Sequence, residues 1–324
     1  MSFERRRWCN YDGRENQVVQ SPQMKRPVYN WRLRSRELAL GERTLVMGIL
    51  NVTPDSFSDA GKFFQRDRAV AHGLQMLDEG ADILDVGGES TRPGAKVVES
   101  GITAEEEISR VLPVIEDLHR ERPDALISID TYKAKVARAA LSAGAEIVND
   151  VSALRWDPKM CDALSELSCG VILMHSRGLP EQWKTQPPSP DIVKEVKNDL
   201  REWALAAVAR GISHERVVLD PGFGFGKRFD ENIPLLAHFS EFHELGFALL
   251  SGTSRKSFIG RTLSREGKDA PPEQRLYGTV ATVAASVFQG AHIVRVHDVK
   301  PTVEAVKVAD SILAAQLNQP QTTV

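Results

Sequence analysis

The chain has 324 residues, 42% of them hydrophobic and 26% charged, with a formal net charge of -3. That is the composition of a globular protein, and so small a net charge gives no electrostatic argument for a nucleic-acid or membrane partner. No run approaches the ~20 apolar residues of a membrane span, and the three cysteines, Cys9, Cys161 and Cys169, have the number and spacing of neither a disulfide framework nor a zinc site. Buried or idle thiols fit a reducing cytoplasm.

Residues 1–27 are rich in arginine and polar side chains and lack the apolar stretch of a secretory signal, so they read as a disordered extension. Residues 28–43 alternate weakly and carry several arginines, which predicts a short hairpin or cap. From there the pattern is regular. Apolar runs at 44–52, 81–88, 125–131, 145–151, 170–176, 216–222, 247–254 and 292–298 are short, rich in Val, Ile and Leu, and nearly continuous. Such runs are strands covered on both faces, as in a parallel sheet. Stretches of helical period lie between them at 68–80, 103–121, 133–144, 191–211 and 275–290, the second opening with a capping box from Thr103 to Glu106. A proline-containing insertion at 177–190 follows the fifth strand as a loop. Eight β-α units in this length predict an α/β chain of the TIM (β/α)8 barrel class. The alternative is an open doubly wound sheet, but no linker or change of composition interrupts the units, which favours closure. The barrel domain then spans 44–316, with a tail over 317–324.

The polar residues fall in one place. The strands begin apolar and finish at Asn51 and Thr53, Asp85 and Glu89, Asp130, Asn149 and Asp150, His175, Asp220, Ser254 to Lys256, and Arg295 and His297. In a (β/α)8 barrel these ends share one face, where barrel enzymes place their chemistry. A polar side chain at the end of an apolar strand is costly unless paired or used. Arg92, Arg255, Lys256, Arg295 and His297 supply cationic donors, and Gly87, Gly88 and Gly94 flank Arg92, so the set suits a phosphate or diphosphate. Asp130, Asn149 and Asp220 are acceptors suited to a heterocycle with a row of N–H donors, and Asn51 offers an oxygen to magnesium. DPGFGFGK (220–227) lacks the spacing of a P-loop and reads as a tight turn carrying Phe225 into the pocket. Ser254 lacks a nucleophile elbow, and His175 and His297 have no metal-ligand spacing.

MGILNVTPDSFSD (47–59), DVGGESTRPGA (85–95), SIDT (128–131), IVNDV (147–151), LMH (173–175), LDPGFGFGK (219–227), SRKS (254–257) and RVHDV (295–299) together resemble the dihydropteroate synthases, over about residues 44–312. The resemblance implies a step of folate biosynthesis: (7,8-dihydropterin-6-yl)methyl diphosphate and 4-aminobenzoate give 7,8-dihydropteroate and diphosphate. It implies that Asp130, Asn149, Asp220, Lys256, Met174 and Arg295 bind the pterin. Asn51, Arg92, Arg295 and His297 would bind the diphosphate, with Mg2+ on Asn51, and Thr91, Arg92, Pro93, Phe225 and Ser254 would bind 4-aminobenzoate. Arg92, Lys256, Arg295 and His297 would carry the catalytic roles. It also implies two mobile loops, near 53–65 and 89–101, sulfonamide binding at the arylamine position, and a cytoplasmic homodimer. Tyr132, Ser176, Gly252 and Thr253 depart from the family's usual residues without removing a matched site residue. A methyltetrahydrofolate-type methyltransferase domain would share the acidic pterin site but has no reason to keep Thr91-Arg92-Pro93 or Ser254-Arg255-Lys256. A non-catalytic pterin-binding relative would be expected to lose Arg92, Lys256 or His297, and all three are present.

Overall fold

The computed structural model describes residues 26–53, 62–91 and 94–317. The extension expected over 1–27 lies outside them except for Arg26 and Pro27, and the tail expected over 317–324 except for Leu317. Arg26 is buried, with its guanidinium 3.0 Å from Asp310.

Strands β1 (Tyr29–Arg32) and β2 (Glu37–Leu40) form an antiparallel hairpin. The barrel follows: β3 (Leu45–Asn51), β4 (Ile83–Gly87), β5 (Leu126–Asp130), β6 (Ile147–Asp150), β7 (Gly170–Met174), β8 (Val217–Asp220), β9 (Ala248–Ser251) and β10 (Ile293–Val296). These eight strands pair in parallel and in sequence, and β10 closes onto β3. The open-sheet alternative is thereby excluded. Around them run α1 (Lys62–Asp78), α2 (Ala104–Glu121), α3 (Ala134–Ser142), α4 (Met160–Glu166), α5 (Ile192–Ala209), α6 (Phe229–Ala237), α7 (Ser257–Thr262), α8 (Leu276–Phe288) and α9 (Val299–Leu317). Thr103 caps α2 by accepting the Glu106 N–H at 3.1 Å, and Asp191 caps α5 by accepting that of Lys194 at 3.0 Å. Each cap satisfies a donor that the first helical turn leaves without a partner.

The period of two along a strand sorts the side chains into two cores. Val46, Leu50, Leu84, Val86, Ile127, Ile129, Val148, Val171, Leu173, Leu219, Val294 and Val296 face the helices. Leu45, Met47, Ile83, Leu126, Ile147, Ile172, Val218, Leu250 and Ile293 face the barrel axis. Trp31, Leu33 and Leu40 from the hairpin region join this second cluster and close the barrel's N-terminal end. The fit there is tight: a Cβ on Gly170 would stand 2.6 Å from Leu33 Cδ2 and 2.9 Å from Trp31. The one polar atom of the Trp31 ring is satisfied, its Nε1–H donating to Arg216 O at 2.8 Å.

Candidate active site

Continuing the inward phase of each strand toward its C-terminal end gives the site. Beyond Met47 comes Asn51, beyond Ile83 come Asp85 and Gly87, beyond Leu126 comes Asp130, and beyond Ile147 comes Asn149. Beyond Ile172 comes Met174, beyond Val218 comes Asp220, beyond Leu250 comes Gly252, and beyond Ile293 come Arg295 and His297. Two of these inward positions are glycine. A Cβ on Gly87 would lie 3.5 Å from Asp130 Cβ and 3.8 Å from Asn51 Oδ1, and one on Gly252 would lie 3.7 Å from Asp220 Oδ2. The missing side chains leave room between the polar groups for a flat ligand.

The polar groups form one network. Arg295 donates through Nε to Asp85 Oδ2 at 2.6 Å and through Nη2 to Asp130 Oδ2 at 2.7 Å. Asn149 Nδ2 donates to the same Asp85 oxygen at 2.9 Å. Asp85 is fully buried, whereas the side chains of Arg295 and Asp130 keep 17% and 23% of their surface open to the mouth. Burial raises the Asp130 carboxyl to about 7 even though the Arg295 charge opposes the rise. Burial likewise raises Asp220, whose Oδ1 accepts the Gly222 N–H at 2.7 Å. Lys256 has no carboxylate in salt-bridge reach among the described residues, and its ammonium lies 3.7 Å from the centre of the Phe225 ring. Burial, and then repulsion from Arg295, lowers it to about 7.

At the rim, Ser254 and His297 form a pair. The Ser254 hydroxyl accepts the His297 main-chain N–H at 3.1 Å and lies 3.0 Å from its Nδ1. Burial and the nearby Arg295 charge lower the imidazole to about 3, so it is neutral at physiological pH. Thr91 is half-buried at the mouth, and Phe225 stands edge-on to Trp183 with ring centres 5.1 Å apart. Arg92 and Pro93 lie outside the described residues, as does most of the segment 53–65.

Three strand-end polar groups do not join the mouth. Asp150 faces away from the axis and accepts from Ser152 N, Ser152 Oγ and Leu154 N, at 2.7, 2.7 and 3.0 Å, so it shapes a turn. His175 also faces the helices, with Nε2 3.1 Å from Asp199 of α5 and its ring stacked on Trp203. Arg255 is spent on Asp298 through two hydrogen bonds of 2.9 and 2.5 Å. Each neighbours a residue that does face the mouth, and a one-residue shift along or just past a strand reverses its face.

Two features carry more of the site than their sequence suggests. Asp85 is the hub of the network, and its second oxygen, Oδ1, is buried with no hydrogen-bond partner among the described residues. Its inward phase, two residues after Ile83, was the available signal. The other is Lys227. Its ammonium donates to the carbonyls of Gly222 and His175, at 2.7 and 2.9 Å, and to His175 Nδ1 at 2.8 Å. Gly222, Gly224 and Gly226 all have positive φ, and a Cβ on Gly222 would stand 2.0 Å from His175 O. The glycine-rich run therefore wraps its carbonyls around a lysine. It is a cation cradle that fixes the Phe225 turn, and glycine is what permits that backbone.

Residues 47–297 match the family model of pterin binding enzymes. The dihydropteroate synthase of Bacillus subtilis is 46% identical over 276 residues, 85% of this chain and 91% of the relative. A solved structure of Xanthomonas albilineans dihydropteroate synthase with 4-aminobenzoic acid superposes with a TM-score of 0.78 at 45% identity, covering 90% of this chain and all of that one. The Yersinia pestis dihydropteroate synthase, solved as a sulfonamide drug complex, gives 0.80 at 42% identity, covering 88% and 99%. This chain belongs to the dihydropteroate synthase family. It is a transferase that joins (7,8-dihydropterin-6-yl)methyl diphosphate to 4-aminobenzoate with release of diphosphate. The methyltransferase and non-catalytic alternatives are not favoured. Among the described residues, no helix is long and apolar enough to cross a membrane.

Proposed function

We propose that the barrel mouth divides this reaction among three adjoining subsites. Asp130, Asn149, Asp220 and Lys256 bind the pterin edge, with Met174 and Arg295 packing on its ring. Asp85, with an unused buried oxygen, belongs to the same set. Asn51, Arg92, Arg295 and His297 hold the diphosphate, and Thr91, Arg92, Pro93, Phe225 and Ser254 surround 4-aminobenzoate. The observation that carries this reading is the Arg295 guanidinium, 2.6 and 2.7 Å from the carboxylates of Asp85 and Asp130. It joins the acceptors suited to a heterocycle to the donors suited to an anion.

Each group then has a chemical task. As the bond from the exocyclic methylene to diphosphate breaks, positive charge spreads into the pterin ring and negative charge collects on the leaving oxygen. The Asp130 and Asp220 carboxylates face the first, and Arg295, His297 and the N-terminus of α9, which starts at Val299, face the second. His297 acts as a neutral donor. We assign the Ser254 hydroxyl as the donor to Nδ1, 3.0 Å away, which places the imidazole N–H on Nε2 for the anion. The arylamine is neutral and already nucleophilic, so no strong general base is needed. Among the described residues no cluster of three or more His, Cys, Asp or Glu is arranged to hold a metal. The Asn51 oxygen fits an ion that takes most of its shell from water and substrate, as magnesium does. When bound, Mg2+ would supply charge neutralisation to the departing diphosphate.

The test is dihydropteroate formation by the parent protein, with Lys256→Ala and Arg92→Ala each reducing it about 10²-fold or more. Because the pterin ring spreads the positive charge, diphosphate departs before the amine attacks; diphosphate release that strictly required 4-aminobenzoate, with a rate rising steeply with amine basicity, would reverse that order. A sulfonamide should compete with 4-aminobenzoate, and noncompetitive inhibition would move the drug elsewhere. We also propose a cytoplasmic homodimer. Support for the dimer comes from Phe229 and Ile233 on α6, Leu263 and Tyr277, which leave large apolar surface exposed on the neighbouring α6–α8 region. A sedimentation mass that stays dimeric in Tyr277→Lys would place the contact on another face.

A further inference from the structure

The loop after β4 is tied down by the two residues that follow Asp130 and Thr131. The Val98 N–H donates to the Tyr132 hydroxyl at 2.8 Å. Burial, and then the nearby Glu89 carboxylate, raise the phenol's pKa, so the hydroxyl stays protonated. Glu89 accepts from Lys133 Nζ at 2.9 Å and from the Ile102 N–H at 3.1 Å, and Lys133 reaches on to Glu107 of α2 at 2.7 Å. Glu89, Val98 and Ile102, at the start, middle and end of the loop, thus converge on Tyr132 and Lys133. Beneath them Val97, Tyr132, Val151 and Met174 pack as one apolar cluster, joined by Val98, Trp156, Leu179 and Phe225.

Val98 shows what the tyrosine contributes. Its φ is 57°, the left-handed region, which crowds Cβ and is rare for a β-branched residue. Such a conformer persists only where its surroundings over-determine it. Here the main-chain N–H that it presents is the one the Tyr132 hydroxyl receives. Tyr132 itself is 3% exposed and packs edge-on to Trp156, with ring centres 5.2 Å apart, so its hydroxyl has little freedom to move.

We propose that Tyr132, with the Glu89–Lys133 ion pair, is a positioning residue for the arylamine subsite: it holds the loop that bears Thr91 in its working shape without touching either substrate. The inference rests on the reading that this loop binds 4-aminobenzoate.

The test is Tyr132→Phe, which keeps the ring packing and removes only the hydroxyl. KM for 4-aminobenzoate and the inhibition constant of a sulfonamide should rise about three- to tenfold, the worth of one hydrogen bond. KM for the pterin diphosphate should stay within about twofold, and amide exchange over 94–102 should quicken. Glycine takes positive φ freely, so Val98→Gly added to Tyr132→Phe should recover much of the lost KM. Unchanged constants, two KM values moving by the same factor, or no recovery would overturn the proposal. Thr91→Ala separates the two layers of the argument. If it leaves the 4-aminobenzoate KM unchanged, the loop is not the arylamine site. If it raises that KM and Tyr132→Phe does not, only the positioning role falls.

Discussion

The two ends of the barrel are built on the same strands and the same inward phase, yet they obey opposite rules. At the N-terminal end, Met47, Ile83, Leu126, Ile147, Val218 and Ile293 meet Trp31 and Leu33 in a dry, filled layer. Two or four residues further along those strands stand Asn51, Asp85, Asp130, Asn149, Asp220 and Arg295, several of them charged and three with shifted ionisation. The first end stabilises through burial and shape. The second holds buried carboxylates, Asp130 and Asp220, whose charged form burial disfavours, and it keeps glycine at two inward positions where packing alone would place a side chain. Substitution at the closed end should therefore cost stability and spare chemistry, and at the open end the reverse, except where an open-end residue also neutralises its neighbours.

Arg295 is that exception and carries the largest expected effect. Arg295→Met removes the donor aimed at the diphosphate and strands the buried Asp85 and Asp130 carboxylates. We expect kcat/KM to fall about 10²- to 10³-fold and stability to fall about 3–5 kcal/mol, read by steady-state assay and by denaturant titration. A variant that lost activity at full stability would show that the carboxylates do not depend on this arginine. At the closed end, Trp31→Ala empties a fully buried site and frees the Arg216 carbonyl. It should cost about 3–5 kcal/mol while the folded fraction keeps its kcat/KM. A selective loss of catalysis would mean that the hairpin communicates with the mouth.

Much of this contrast was legible in the sequence because a strand buried on both faces has nowhere to put a polar residue except at its end. All eight apolar runs contain the observed strands, and the helix read at 191–211 is α5 within two residues at each end. The face of each polar residue was not legible from residue type. Asn149 and Asp150 are neighbours of similar chemistry, and residue type favours His175 over Met174 as the polar group, yet Asn149 and Met174 are the ones that point inward. Counting by two from Ile147 and Ile172 decides both, but it needs the barrel interior to be known first. The Tyr132–Val98 contact was beyond reach for a different reason. It joins residues 34 apart through a left-handed valine, a conformation that valine itself advertises against.

The pH dependence sharpens the comparison at the open end alone. The pterin site needs Asp130 ionised as an acceptor and Lys256 protonated as a donor. Burial moves both to about 7, from below and from above. The acid is productive above its value and the ammonium below its own. Plotted against pH, kcat/KM for the pterin diphosphate should be a narrow bell with both limbs near neutrality. His297, pulled to about 3, should add no limb near its ordinary value. Asp130→Asn should flatten the acid limb at reduced activity, and a limb that survived unchanged would assign it to another group.

The smallest expected effect concerns stability. Lys256 has its ammonium form disfavoured on folding, from 10.5 to about 7. The unfolded chain then binds the extra proton between those values, so this residue makes the fold less stable below pH 7 and progressively less so as pH rises toward 10.5. Lys256→Met should lose catalysis yet match or exceed the parent's stability at pH 7, with the gap narrowing as pH rises above 7 and closing toward pH 10.5. A variant less stable than the parent at pH 7 would show that the ammonium over the Phe225 ring is held favourably, and Lys256 would then belong with Arg295 among the residues that serve both ends of the argument.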